Sequence, residues 1–340
     1  MKAIMYHYIR PVPDGLPFFR YLHIDNFRRQ LDWFAARWPF PSRDAFFAAA
    51  AAGKACEGVV LTFDDAMSDH YEHVLPELRR RGLWGIFYVP TAPYETGKLL
   101  DVHRIHLLLG SLGGARAMAL LRELVHDDML SHRHVEEFRT KTYAGQDNNA
   151  ATNLFKRTLN YFISYDHRET VLDRLMAAWL DGRPEAELVE RFYVRPEQLR
   201  RMRDAGMEIG SHGVNHFVMS KLDPAAQAEE ISRSFAFLES VLGERPRSFC
   251  YPYGGFHSFT PETERLLGRE GCLFSFNVEY RDGEDRDLRE RPQALPRYDC
   301  NLFPYGRAHL GPEPPPEAEG EATGRGRPSL CPAGGPHLPG

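Results

Sequence analysis

Two apolar runs without alternation, Gly58–Phe63 (GVVLTF) and Trp84–Pro90 (WGIFYVP), constrain this chain more than any other feature. A strand covered on one face alternates apolar with polar residues, whereas a continuous β-branched and aromatic run is covered on both. Between the two runs, Ser68–Arg81 reads as a helix closed by Gly82. Strand, helix and strand within 35 residues make a βαβ unit, and such a unit requires a parallel sheet.

The same grammar recurs along the chain. Lys2–Tyr8 reads as a first strand, and Ile24, Phe27, Leu31 and Phe34 recur at helical spacing around Asp25–Arg37. Beyond Pro196 the alternation resumes, with helices at Pro196–Ala205, Pro224–Leu242 and Pro261–Glu270. The strands expected between and after them are Met207–Gly210, Arg247–Tyr251 and Leu273–Val278. Asp223 and Pro224 suit the N-cap and first-turn positions of the longest of these helices. From about 101 to 195 the pattern is helical and polar, with short amphipathic groups (Ile105, Leu107, Leu108; Leu154, Phe155, Leu159; Val171, Leu172, Leu175) and no clear strand. That stretch is expected to be a helical insertion carried by the α/β core of a single domain, 1–310. Residues 311–340 hold 8 Pro and 7 Gly and no aromatic residue, so disorder is expected there.

The bulk numbers exclude several classes of function. A chain of 340 residues, 43% hydrophobic and 26% charged, can bury a large core. Its net charge of −5 argues against a nucleic-acid partner, and the basic runs Arg79–Arg81 and Arg200–Arg203 sit at the polar ends of expected helices. The amino-terminal MKAIMYHYIRPVP lacks the apolar run of a signal peptide, and no stretch approaches the roughly 20 apolar residues of a membrane span. The cysteines are five in number, widely spaced and without a C-x-x-C pair, as expected for reduced thiols in a cytoplasmic protein.

Three short segments carry chemistry. Asp64 and Asp65 stand where a buried strand ends, the edge at which parallel α/β sheets bind substrates. Their side chains diverge, so one can bind a cation while the other accepts a proton; alternatively, one merely caps the next helix. In Ser211–His216 (SHGVNH), His212 and His216 are four apart, and on one helical turn both rings would grip one ion. Two His and one Asp leave a coordination position open for water, the arrangement of a catalytic zinc. With Asp65 as the carboxylate ligand, Asp64 is left as general base. In Arg247–Gly255 (RSFCYPYGG) a strand runs into a tight turn able to present a backbone N–H to an oxyanion.

TFDD at 62–65, SHGVNH at 211–216 and FCYPYGG at 249–255 occur in the order seen in the NodB-like polysaccharide deacetylases of carbohydrate esterase family 4, which this chain resembles. VLPELRRRGLWGIFYVPT, MSKLD and LPRYD (295–299) extend the likeness over roughly 1–100 and 195–301. The resemblance implies a distorted (β/α)7 barrel with Asp64 as base, Asp65, His212 and His216 as metal ligands, and the Tyr253 backbone N–H at the oxyanion. The implied cofactor is a divalent cation, Zn2+ first, with Co2+, Mn2+ or Ni2+ as alternatives. The implied reaction is attack of metal-activated water on an acetamide, releasing acetate from an N-acetylated sugar or glycan intermediate.

The chain also departs from the family pattern. Ala66 replaces the Gly that often follows the Asp pair, and Gly213 replaces a loop-bracing Ser or Thr. Cys250 and Tyr251 stand where an Arg-Pro pair is common, so the Arg that orients the base is missing, and Arg297 in LPRYD is the candidate substitute. The family's late Leu-x-His motif has no clean counterpart. His7 is a candidate general acid, with His103, His106 and His309 as alternatives. Two other readings stay open: hydrolysis of a non-sugar amide at the same centre, and a catalytically silent carbohydrate-binding relative.

Overall fold

The computed structural model describes residues 1–12, 15–130, 135–143 and 148–310. The tail expected to be disordered, 311–340, lies outside them.

Seven strands form one sheet: β1 (Lys2–Tyr6), β2 (Val59–Asp64), β3 (Ile86–Val89), β4 (Glu208–Ser211), β5 (Ser248–Cys250), β6 (Phe274–Phe276) and β7 (Tyr298–Asp299). Their spatial order is β6-β5-β4-β3-β2-β1-β7. Each neighbouring pair is parallel, with Lys2 opposite Val59 at one end of the β1–β2 ladder and Tyr6 opposite Phe63 at the other. The stretch leading into β7 also bonds back to β6. Leu295 receives the Asn277 N–H at 2.8 Å and donates to the Ser275 carbonyl at 2.8 Å. The sheet therefore curls until one short segment touches both of its edges, as a distorted seven-stranded barrel requires.

Burial explains the two apolar runs. Every residue of β2 and β3 is buried, with helices on one side and the barrel interior on the other. Phe63 is fully buried, its ring stacked 5.4 Å from Tyr6 and 4.7 Å from Phe87. On the outside pack α1 (Ile24–Ala35) and α2 (Arg43–Ala51), the second of which the sequence patterns left unassigned. The uninterrupted helix expected over Ser68–Arg81 is instead a wide five-residue turn, His70–Val74, followed by a short α-helix, Leu75–Arg80. Pro76 accounts for the difference: it has no N–H for the carbonyl four residues back, and the preceding turn widens.

The region 101–195 is helical, with α3 (Asp101–Arg122), α4 (Ala150–Arg157), α5 (Tyr165–Leu180) and α6 (Glu185–Phe192). Its apolar residues, Ile105, Leu108, Leu121, Phe155 and Leu172 among them, form one core with Tyr8, Met67 and Val214. Those three lie just past the C-terminal ends of β1, β2 and β4, so the insertion packs onto the mouth of the barrel. The chain then returns through α7 (Pro196–Asp204), α8 (Pro224–Leu242) and α9 (Pro261–Arg269). A small sheet made of Ile9–Arg10, Arg20–His23 and His309–Leu310 flanks the barrel.

Because Phe63 fills the space directly behind Asp64, Phe63→Ala is expected to cost about 3–5 kcal/mol of folding stability. Urea unfolding of the variant against wild type measures this, and a loss under 1 kcal/mol would contradict the packing described.

Candidate active site

Asp64 ends β2 at the C-terminal edge of the sheet, Asp65 opens the turn that follows, and both are 2% exposed. The backbone turns sharply there: Asp65 and Ala66 have φ of 80° and 51°, a left-handed conformation that costs a residue with a Cβ. Ala66 therefore keeps the turn that glycine would make more easily. That turn is fixed from outside, because the Ala66 carbonyl accepts the Val194 N–H at 2.8 Å and Asp65 donates its N–H to the Tyr88 carbonyl at 3.0 Å.

Arg297 grips Asp64 with both guanidinium nitrogens, Nη1 to Oδ1 at 2.8 Å and Nη2 to Oδ2 at 2.7 Å. Its Nη1 also donates to Thr62 Oγ1 at 3.0 Å, and its Nη2 lies 2.9 Å from Cys250 Sγ. The small thiol of Cys250 leaves room for a guanidinium arriving from β7. Burial alone would raise the Asp64 carboxyl, but the Arg297 pair outweighs it and holds the group at about 2. Asp64 is thus held in its ionised form near neutral pH.

Asp65 faces a different set of groups. His212 Nε2 lies 3.5 Å and His216 Nε2 3.3 Å from its Oδ1. The two histidines are not on one helical turn. His212 follows the end of β4, and the loop beyond it brings His216 back with φ 56°, the ring centroids 4.7 Å apart. Glu230 on α8 holds this loop by accepting the backbone N–H groups of Val214 at 3.0 Å and Asn215 at 2.9 Å. Gly213, at φ 78°, makes room for that brace, since a Cβ there would come within 3.3 Å of Glu230 Oε2. The loop is therefore braced by Glu230 instead of by a hydroxyl following His212.

The donor set fits a cation. His212 Nδ1 is 2.6 Å from the Cys250 carbonyl, which can only accept, so the proton sits on Nδ1 and Nε2 carries a lone pair. Burial and the neighbouring His216 push the His212 imidazole down to about 4, so it stays neutral. That lone pair faces Asp65 Oδ1, a buried oxygen with no hydrogen-bond partner among the described residues. Acceptors facing one another in a buried space repel unless a cation lies between them. One ligand atom from each of Asp65, His212 and His216 falls within 4.8 Å of the others.

The remaining candidates are spread around this centre. His7 follows β1 with its side chain 40% exposed, and its Nε2 is 4.0 Å from Asp64 Oδ2. Tyr253 occupies a run of left-handed residues with Gly254 and Gly255 (φ 66°, 59° and 76°), its ring 4.9 Å from that of His216. A Cβ on Gly254 would meet Val278 at 2.2 Å, which ties this turn to glycine. His103 is fully buried, with Nε2 3.2 Å from Asp65 Oδ2. His106 Nδ1 pairs with the Tyr8 hydroxyl at 3.0 Å, and His309 lies on the flanking sheet 2.6 Å from Asn26 Nδ2. Glu230, Tyr193 and Arg168, which also surround the centre, lie in segments with no motif to mark them.

Residues 147–271 match the family model for polysaccharide deacetylases. A peptidoglycan deacetylase-like protein FGM2 from Gibberella zeae is 29% identical over 121 residues, covering 36% of this chain and 34% of that protein. The match thus spans about a third of the length of that curated relative. Among solved structures, the Streptococcus pyogenes deacetylase PplD in complex with acetate aligns over 88% of this chain and 91% of its own, with TM-score 0.53 and 16% identity. The two share a fold.

Since Glu230 satisfies two loop N–H groups at once, Glu230→Ala is expected to cost about 2–4 kcal/mol of stability. Glu230→Gln should retain part of that, because its amide oxygen can still accept. Thermal unfolding of the pair checks this; equal stability of both variants and wild type would remove Glu230 as the brace.

Proposed function

We propose that this chain, part of which matches the family model for polysaccharide deacetylases, removes the N-acetyl group of an amino sugar in a glycan or glycan precursor, releasing acetate and a free amine. The observation that carries the reading is the pairing of two adjacent buried carboxylates with opposite surroundings. Arg297 grips Asp64, and Asp65 turns a buried oxygen without a hydrogen-bond partner among the described residues toward the rings of His212 and His216. One carboxylate is thereby directed as a proton acceptor and the other is left to a cation.

Asp65, His212 and His216 would hold a divalent cation, Zn2+ by preference for one carboxylate and two imidazoles. When bound, such a cation supplies Lewis-acid polarisation of a carbonyl and acidifies water. Asp64 takes the proton of the attacking water. Arg297 keeps it ionised and fixes its direction through two bonds, so its conformational freedom is already spent before substrate arrives. The Tyr253 backbone N–H serves the developing oxyanion, which the left-handed turn orients without relying on a flexible side chain. His7, the most exposed group beside Asp64, donates a proton to the departing amine; His103 and His106 are engaged with Tyr193 and Tyr8.

Asp64→Asn is expected to lower acetate release from N-acetylated amino sugars by about 10²–10⁴-fold while leaving bound Zn2+ unchanged. Full activity in that variant would end its role as base. Arg297→Ala leaves the Asp64 carboxyl buried without its counter-charge. Burial then raises it, so the base form is lost at a higher pH as the solution is acidified. The acid limb of kcat/KM should move upward from wild type. An unmoved limb would sever the pair from catalysis. His7→Gln should lower acetate release and spare metal content; wild-type release would assign the donor elsewhere.

A further inference from the structure

The helical insertion contributes more than cover to the site. We propose that His103, on the first turn of α3, is a positioning residue for Asp65: it holds the outer carboxylate oxygen so that the inner one is left for the cation. The proposal rests on the metal reading given above.

The surrounding hydrogen bonds determine which ring nitrogen of His103 carries the proton. The Leu100 N–H donates to the Tyr193 hydroxyl at 2.9 Å, so that oxygen already serves as an acceptor. The hydroxyl also lies 2.6 Å from His103 Nδ1, and its own proton is free to fill that contact. Asp65 Oδ2, beside His103 Nε2, is a carboxylate oxygen that can only accept, so in the neutral ring the proton belongs to Nε2 and Nδ1 accepts from the hydroxyl. Nε2 is buried with no aligned hydrogen-bond partner, and the nearest charge to it is Asp65 Oδ2, at 3.2 Å. A ring protonated on Nε2 cannot ligate through it, but it can offer that proton to a carboxylate. His212 is arranged the opposite way, with its proton on Nδ1 and its lone pair turned inward. The three imidazoles around Asp65 are therefore not equivalent: His212 and His216 flank Oδ1, and His103 faces Oδ2.

The backbone under His103 is built to hold still. Arg104, next in sequence and almost fully buried, pairs with both oxygens of Glu185 on α6 at 2.7 Å each and reaches Asp173 on α5 at 3.0 Å. Asp101, which opens α3, is 3.1 Å from Arg168 on α5. Tyr193 lies between α6 and α7, and neighbouring Met67 pairs with it directly behind the Asp65–Ala66 turn. Outer groups of this kind are worth about 10- to 100-fold in metal affinity.

The test is Zn2+ affinity of the full chain by competition with a chromophoric chelator, alongside circular dichroism to follow the fold. His103→Ala should bind Zn2+ about 10- to 100-fold more weakly than wild type. His103→Gln, whose side-chain N–H can reach the same oxygen, should recover most of that. Tyr193→Phe touches no proposed ligand, yet it should weaken binding as well, because the ring is freed to place its proton on Nδ1. Substituted with Co2+, wild type and His103→Gln should share one visible spectrum. A changed spectrum in His103→Gln would make His103 a ligand and overturn the proposal. So would wild-type affinity in His103→Ala. Wild type that binds no Zn2+ would overturn both this and the metal reading, whereas a tight wild type matched by His103→Ala overturns this one alone.

Discussion

Two carboxylates side by side, both buried at the end of one strand, set the problem that the rest of the molecule solves. An isolated ion in a protein interior costs several kcal/mol after relaxation, and two of the same sign cost more. Each carboxylate here is compensated differently. Asp64 has a guanidinium in bidentate contact, delivered by the segment that joins the two edges of the curled sheet. Asp65 has three imidazoles around it instead of a guanidinium. Curling of the sheet is what brings Arg297 under Asp64, so barrel closure and charge compensation depend on the same few residues.

The asymmetry has a chemical consequence. A carboxylate locked by arginine stays ionised and directed, as a proton acceptor must be if it is to act without reorganising. One whose inner oxygen faces the lone pair of His212 has an incomplete electrostatic environment that a cation completes. Backbone strain appears at the same places: Asp65, His216 and Tyr253 all adopt left-handed φ without being glycine. Such conformations persist only where neighbouring contacts over-determine them, and here the braces are Val194, Glu230 and the glycines at 254 and 255.

Cys250 and Gly213 illustrate how a departure at one position can be compensated from another element. A thiol at 250 takes little space, and the guanidinium comes from Arg297. A glycine at 213 offers no hydroxyl, and a buried carboxylate from α8 takes over both loop N–H groups. In each case the contact is supplied by a residue outside the local motif.

Much of this architecture was legible in the sequence because it is written in local patterns. The unbroken apolar runs at 58–63 and 84–90 can only be strands covered on both faces, and the adjacent carboxylates and the His pair mark strand ends. Pairing of Arg297 with Asp64 could be raised as a candidate from a missing arginine, but distance and direction come only with the fold. Local pattern failed where long-range contact decides the outcome. The helical turn expected for His212–His216 is a loop, because Glu230 from another helix satisfies its N–H groups. Tyr193 and Glu230 lie in ordinary helical or connecting sequence and carry no motif, and the ring of His103 is met by a hydroxyl 90 residues away. Side-chain period and residue type act over a few neighbours and so are visible in the chain itself. Hydrogen-bond partners and charge balance are properties of space, and only the tertiary structure decides them.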